Sequence, residues 1–411
     1  MGIIKVTKSF GGLFMNESYK GLPAALQEAL KRCDLLVGEE TVDYMYELFD
    51  PKTGGFYYSI SSRDTKEMTP FAEGTRFAIE ALRYGGIEFP EWWKKRAGEW
   101  ILNHQDEGDG FFYEDLWGKI TSGARLYRDL TYSVSILTEY CDMKPKYTLP
   151  AERVKQGDVS STIPERLTSE AKMLDYLDSL DWSYKGIWGT GQKLTTERPL
   201  INAMGLRPLV QKYIEDKQNP DTGLWGDGFG WMNTNGTMKL SGYFDKEHPF
   251  PNVPQMLDSV KAIYSGEPPT SATWIWNPFV AMSRAFYSLG EEGAKLRATL
   301  YEKGADIVNC AIDNALLLKK ADGGFASGIR GAIKRQQGYL FGQGYADESD
   351  LDGTLIAGCR LRETIHAVFG AKCTSDYYKH LEADFWERCK AKPEIVKTLE
   401  KPDEPWEPVK K

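Results

Sequence analysis

Three carboxylates stand near the starts of the least charged helical stretches of this chain: Glu73 in "PFAEGTRFAIEALRYGG", Asp129 in "LYRDLTYSVSILTEY" and Asp352 in "LDGTLIAGCRLRETIHAVFG". A carboxyl group enclosed by apolar helices is costly unless it is paired or used in chemistry. Two carboxyls held in different surroundings can divide into a proton donor and an ionised partner. Glu73 follows Thr69 and Pro70, past the capping position, and is expected to carry the raised pKa and the acid role. Asp352, in the Asp-rich run "DESDLD", is expected to be ionised and to orient water, with Asp129 beside Arg128 in reserve for that role.

Around these carboxylates fall side chains suited to a polyhydroxylated ligand, whose hydroxyls take bidentate polar partners and whose apolar face stacks on aromatics. They are Arg63 and Asp64, Arg128 and Tyr132, Arg198 and Asn202, Trp231 with Asn235 and Lys239, Trp276 and Asn277, and Asp350. The same residue types also do plain structural work. Asp129, Asn235 and Asp350 are of the types that cap helix N-termini and are expected to cap more readily than to catalyse, and Arg63 with Asp64 can close a loop ion pair.

Positioning such residues requires an ordered set of helices. Segments such as "PEWWKKRAGEWILNHQ", "VPQMLDSVKAIYSG" and "SDYYKHLEADFWERCKAK" are charged on one side and apolar at helical spacing on the other, as outer helices are. A second set is apolar on most faces, as enclosed helices are: the three stretches quoted first, with "ERPLINAMG", "NTNGTMKLSGYF" and "TWIWNPFVAMSRAFYSLG". The two sets alternate. Between an outer and the next inner helix sits a Gly-aromatic turn, seen as "FDPKTGGFYY", "QDEGDGFFYE", "WSYKGIWGTG", "QNPDTGLWGDG" and "KADGGFASG". A repeated supersecondary unit of this kind predicts an all-α fold, an (α/α)6 toroid of alternating inner and outer helices. It is expected to occupy residues 1–395 as one domain, followed by a charged, Pro-containing tail over 396–411. If each turn leads inward, all inner helices start at one end of the ring and their first turns share a funnel.

Composition narrows the partners. With 411 residues and 41% hydrophobic content the chain can bury a large core, and a net charge of −8 argues against nucleic acid. The opening "MGIIKVTKSFGG" has no long apolar run, and Val6 stands where a myristoylation signal needs Ser or Thr. No run is long enough to span a bilayer. A cytoplasmic protein without membrane partners is expected. Six scattered cysteines form no Cys/His cluster, so reduced thiols, no metal and no cofactor are expected.

The turn "QNPDTGLWG", Gln218 to Gly226, resembles the Q-x-x-x-x-G-x-W repeat of the terpenoid cyclase and protein prenyltransferase superfamily, and "QDEGDGFFY" is a looser copy. The resemblance implies the helical ring, which also serves glycosidases, polysaccharide lyases and sugar epimerases. "SDLDGTLIAG" resembles the class II cyclase motif D-x-D-D-T-A, which would make Asp352 the catalytic acid of an isoprenoid enzyme with Asp350 beside it, although Gly353 replaces the motif's last Asp. The residues themselves favour a carbohydrate-active enzyme, a glycoside hydrolase or a lyase acting on an oligosaccharide. Isoprenoid processing and a non-catalytic ligand-binding ring are the alternatives.

Overall fold

Where the sequence alternates charged and apolar helical stretches, the computed structural model places helices that alternate between an outer and an inner layer. It describes residues 17–120, 123–157, 163–373 and 376–406. The opening Met-Gly segment and the last residues of the expected tail lie outside them.

The six inner helices are Ala72–Tyr84, Ala124–Ser135, Ile187–Ala203, Trp231–Leu240, Ala272–Leu289 and a sixth assembled from Leu351–Gly353, a π-helical stretch Thr354–Arg360 and Leu361–Val368. The first packs on the second, the second on the third, and so on to the sixth, which returns to the first. The ring is therefore closed, and the all-α (α/α)6 toroid is the fold. Neighbouring inner helices run parallel, because their contacts climb together. Thr195 Oγ1 donates to Lys239 O and Arg198 Nη1 to Gly242 O, while Asn277 meets Asn235 and Arg284 meets Ser241. Outer helices present one apolar stripe inward; Val253–Tyr264 buries Val253, Met256, Leu257, Val260, Ile263 and Tyr264.

Four of the Gly-aromatic turns close on the same short bridge: Phe49 with Phe56, Gln105 with Phe112, Gln218 with Trp225, and Lys319 with Phe325. Each has a glycine with positive φ just before the bridge closes, at 54, 110, 223 and 323. Glycine is required there twice over. A Cβ on Gly223 would also lie 2.4 Å from both Asn252 O and Met256 N of the next outer helix. The glutamines tie the same parts together: Gln218 Nε2 donates to Gly223 O at 2.8 Å and Pro251 O at 3.0 Å, and Gln105 Nε2 repeats this with Gly110 O and Tyr147 O.

The third turn departs from expectation. Ile187–Ala203 is one continuous helix, so "IWGTG" is helical and the inner helix begins ten residues before Glu197. Two glycines and Pro199 make that stretch a poor helix by propensity. Packing overrides it, because a Cβ on Gly191 would lie 2.6 Å from Lys239 Cβ, and only glycine lets the two helices approach so closely.

A small hairpin, Arg335–Gln336 paired with Tyr339–Leu340, extends over the mouth of the ring. The tail docks beside it: Leu340 N donates to Trp406 O, Arg335 Nε to Glu404, and Thr398 and Leu399 N to Asp64 O. All six cysteines are unbridged. No helix among the described residues is long and apolar enough to cross a membrane.

Candidate functional site

The first turn of the first inner helix places Glu73 wholly out of solvent. On the second inner helix, Arg125, Arg128 and Asp129 follow at i, i+3 and i+4 and so share one face. Arg125 Nη1 and Arg128 Nη2 both grip the Glu73 carboxylate, and Arg125 Nε also donates to Asp129 Oδ1 at 2.8 Å. Trp117 Nε1 holds the other Asp129 oxygen at 3.2 Å. Burial pushes the Glu73 carboxyl upward, but the two guanidiniums outweigh it and hold Glu73 below the ordinary range. The expected raised pKa is therefore reversed, because two arginines 52 and 55 residues away in sequence close on this group. Burial, with help from the Glu73 charge, raises Asp129 to about 6 against the pull of Arg125 and Trp117. Both of its oxygens are occupied, so it is a strut of this cluster, not a free second carboxylate.

Asp352 takes the property expected of Glu73. Burial, then the negative charges of Asp350 and Glu73, raise its carboxyl to about 7 against the opposing effect of Arg128 and Lys239. Its hydrogen bonds are weak ones, from Gln336 Nε2 at 3.3 Å and Ser327 Oγ at 3.5 Å. Asp350, by contrast, is fully spent as a cap and loop anchor. It accepts from Gly353 N, Ser327 N, Ser327 Oγ and Ile333 N, which corrects its expected role in binding. The Lys239 ammonium, on the fourth inner helix, makes no hydrogen bond or ion pair among the described residues. Burial, then Arg128, bring its ammonium down to about 7, while Asp352 and Glu73 oppose the fall. Its side chain nonetheless retains some exposure, as a group facing an enclosed, water-accessible lumen would.

Further along the lumen, Glu80 is shared by Arg76 and Arg360, and Arg360 lies 5.3 Å over the Trp276 ring, whose N–H donates to Thr364 Oγ1. Tyr132 lies under Arg128 at 5.3 Å. The structure thus gathers Glu73, Asp129, Arg128, Tyr132, Lys239 and Asp352 into one electrostatic group, with Trp276 below it.

Other expected residues go elsewhere. Arg63 is consumed by Asp64 and Glu47, at 2.7 and 2.5 Å. Arg198 and Asn202 sit on the far half of their helix because it starts at Ile187; Asn202 is exposed. Asn277 Nδ2 donates to Asn235 Oδ1 at 2.6 Å, so this buried pair joins the fourth and fifth inner helices and does not line the funnel. Trp231 is 5% exposed, packs edge-on to Tyr264 and donates to Glu267 O at 2.8 Å. It cannot stack on a sugar. Trp231→Ala is accordingly expected to lower stability by about 3–5 kcal/mol, the range for deleting a buried large aromatic, read as a drop in urea midpoint. An unchanged midpoint would show that the ring is not a packing element.

Several site residues escaped the sequence reading. Arg125 had a legible signal, its i, i+4 relation to Asp129 on an apolar helix. Gln336 and Gln337 had none, since only the hairpin over the mouth brings Gln336 to Asp352 and Gln337 Oε1 to Arg125 at 3.2 Å. Tyr58 lies buried with no partner for its hydroxyl among the described residues, and burial, then the charges of Asp350, Asp352 and Glu73, push that hydroxyl well above its ordinary range.

Asp34, His366 and Cys373 approach within metal-ligand spacing. Both His366 nitrogens and both Asp34 oxygens already have protein partners in Tyr19 and Arg362. With the Arg362 guanidinium in contact, the cluster is a hydrogen-bonded strut and a poor seat for a cation.

Among solved structures, the glycoside hydrolase family 15 glucoamylase from Hypocrea jecorina is similar, at 12% identity over 85% of this chain and 72% of that one, with a TM-score of 0.32. No protein-family model and no curated protein matches the chain.

Proposed function

We propose that the protein is a carbohydrate-active enzyme that cleaves a glycosidic link in the lumen, with Asp352 as proton donor. The observation that carries this reading is the charge around the lumen: Glu73 and Arg76, Arg128, Lys239, Arg284, and Asp352 with Arg360 come from five of the six inner helices. Such a surface suits a ligand rich in hydroxyls or charge. A prenyl chain would have to strip water from these groups without replacing its hydrogen bonds, which weighs against isoprenoid processing despite the Asp350-x-Asp352 motif. A passive binding ring gives no use for a carboxyl raised to about 7.

The chemistry needs one proton delivered and one removed. Asp352 gives its proton to the departing glycosidic oxygen as the carbon–oxygen bond breaks. Lys239, as the neutral amine, takes a proton either from a water whose oxygen adds to the anomeric carbon, or from the ring carbon next to a carboxyl group in an elimination. Hydrolysis adds one water overall and elimination adds nothing; both balance. The other carboxylates are poor bases, because Glu73, Asp129 and Glu80 are each held by arginine.

The pH dependence follows with a definite sign. Below about 7 Lys239 carries its proton and cannot accept another, and above about 7 Asp352 has lost the proton it must donate. Turnover should describe a bell with its maximum near pH 7. The test is a panel of neutral and acidic oligosaccharides assayed for new reducing ends and for new ultraviolet-absorbing double bonds, followed by kcat/KM against pH on whichever is cleaved. No cleavage of any glycan, or a flat profile across neutrality, would count against this reading.

A further inference from the structure

The far end of the lumen holds two arginines with no carboxylate partner among the described residues. Arg198 of the third inner helix donates Nη1 to Gly242 O at 2.6 Å. Arg284 of the fifth donates Nη1 to Met238 O at 2.9 Å and Ser241 Oγ at 3.0 Å. A Cβ placed on Gly242 would lie 2.3 Å from Nη1 of Arg198 and 3.7 Å from Nη1 of Arg284. Both guanidiniums therefore converge on one spot, and glycine is what leaves room for them. Neither forms an ion pair among the described residues. The carboxylates close by are already engaged, Glu80 by Arg76 and Arg360 and Glu197 by Arg166.

Arginines do hydrogen-bond the last carbonyls of a helix, and these two do so at the end of Trp231–Leu240. That accounts for one nitrogen of each. A guanidinium has five N–H donors in a planar fork, and the rest of each fork meets no acceptor among the described residues. Arg284 keeps an exposed side chain, yet burial and the like charges of Arg198 and Arg360 lower its pKa to about 10. That combination belongs to a cation opening onto an enclosed space. Two like charges are thus anchored by backbone on one side and left unfilled on the other, the arrangement that bidentate binding of a carboxylate requires.

We infer that Arg198 and Arg284 form an anionic subsite for the carboxylate of a uronate-containing oligosaccharide, so that the substrate is an acidic glycan. This rests on the glycan-cleaving reading above. Gly242 lies about one helical turn, roughly 5 Å, beyond Lys239 on the same chain segment, and Lys239 responds to both Asp352 and Arg284. A carboxylate seated on the arginines would therefore set the sugar chain along the line from the clamp to the proton donor.

The test is binding of a galacturonate trisaccharide against the neutral galactose trisaccharide, by calorimetry at neutral pH, with sodium sulfate as a separate probe. The parent should prefer the acidic sugar by about tenfold or more, as expected when charge-assisted bonds are added. Arg284→Gln and Arg198→Gln should each erode the preference, and Arg284→Lys should retain part of it, with circular dichroism confirming the fold. Equal binding of the two sugars, or a preference that survives in both Gln variants, overturns the subsite while leaving the glycan reading intact. If neither sugar binds but sulfate does, and does so through these arginines, the glycan reading falls and the acidic-glycan assignment falls with it.

Discussion

Asp352→Asn is expected to lower turnover on the cleaved glycan by about a hundredfold or more, the usual scale for losing a general acid, and to make the protein harder to unfold above neutral pH. Both effects have one cause. Burial and the neighbouring Asp350 and Glu73 raise this carboxyl from 3.8 to about 7, so the folded state prefers it protonated. A group raised in this way favours folding at low pH, and the benefit is lost as pH rises from its unfolded value through its folded one, here from about 4 to about 7. At pH 8 the parent carries a buried charge that the amide does not, and the difference is on the order of a few kcal/mol. Asn can still accept from Gln336 and Ser327, so the site should remain assembled. Urea unfolding at pH 5 and pH 8, beside a turnover assay, reads both effects. A variant that is slower and also less stable at pH 8 would mean that Asp352 is a structural carboxylate.

Glu73→Gln should behave in the opposite way and cost about 3–5 kcal/mol of stability, the range for breaking a buried ion pair by removing one partner. Glu73 and Arg125 are essentially without solvent contact, and Arg128 is only 12% exposed. A glutamine keeps the shape but leaves these guanidiniums short of one negative charge, with Asp129 alone to answer Arg125. The pH sign is also opposite to that of Asp352. Because the folded pKa of Glu73 is depressed, its contribution is present above the unfolded value, 4.5, and lost as pH falls through the folded one. The gap between parent and variant in urea midpoint should therefore be full at neutral pH and close on acidification. A Glu73→Gln protein with the parent's midpoint at pH 7 would show that the arginines are compensated by groups other than Glu73.

The sequence by itself determined the ring. Alternating one-sided and all-round apolar helices, joined by turns in which a glycine and an aromatic recur, have few ways to bury their surfaces other than by closing on each other. It also picked out Glu73, Arg128, Lys239 and Asp352 as polar residues on enclosed helices, where burial makes any charge consequential. The third inner helix is hidden in the sequence because Gly189, Gly191 and Pro199 obscure it locally, and its start at Ile187 puts Arg198 and Asn202 in the far half of the helix. The packing of Trp231 is not legible in the sequence, because an indole at a helix start looks alike whether it faces a lumen or a neighbouring hairpin. The tertiary structure alone decided which carboxyl is raised and which is lowered. A pKa is set by the charges within a few ångströms and by the depth of burial. For Glu73 those charges are Arg125 and Arg128, more than fifty residues along the chain. For Asp352 they are Asp350, Glu73, Arg128 and Lys239, drawn from four different helices or caps. Helical periodicity carries the direction a residue faces but not the identity of what it meets there, so the two carboxylates could be found from the sequence while their readiness to hold a proton could not.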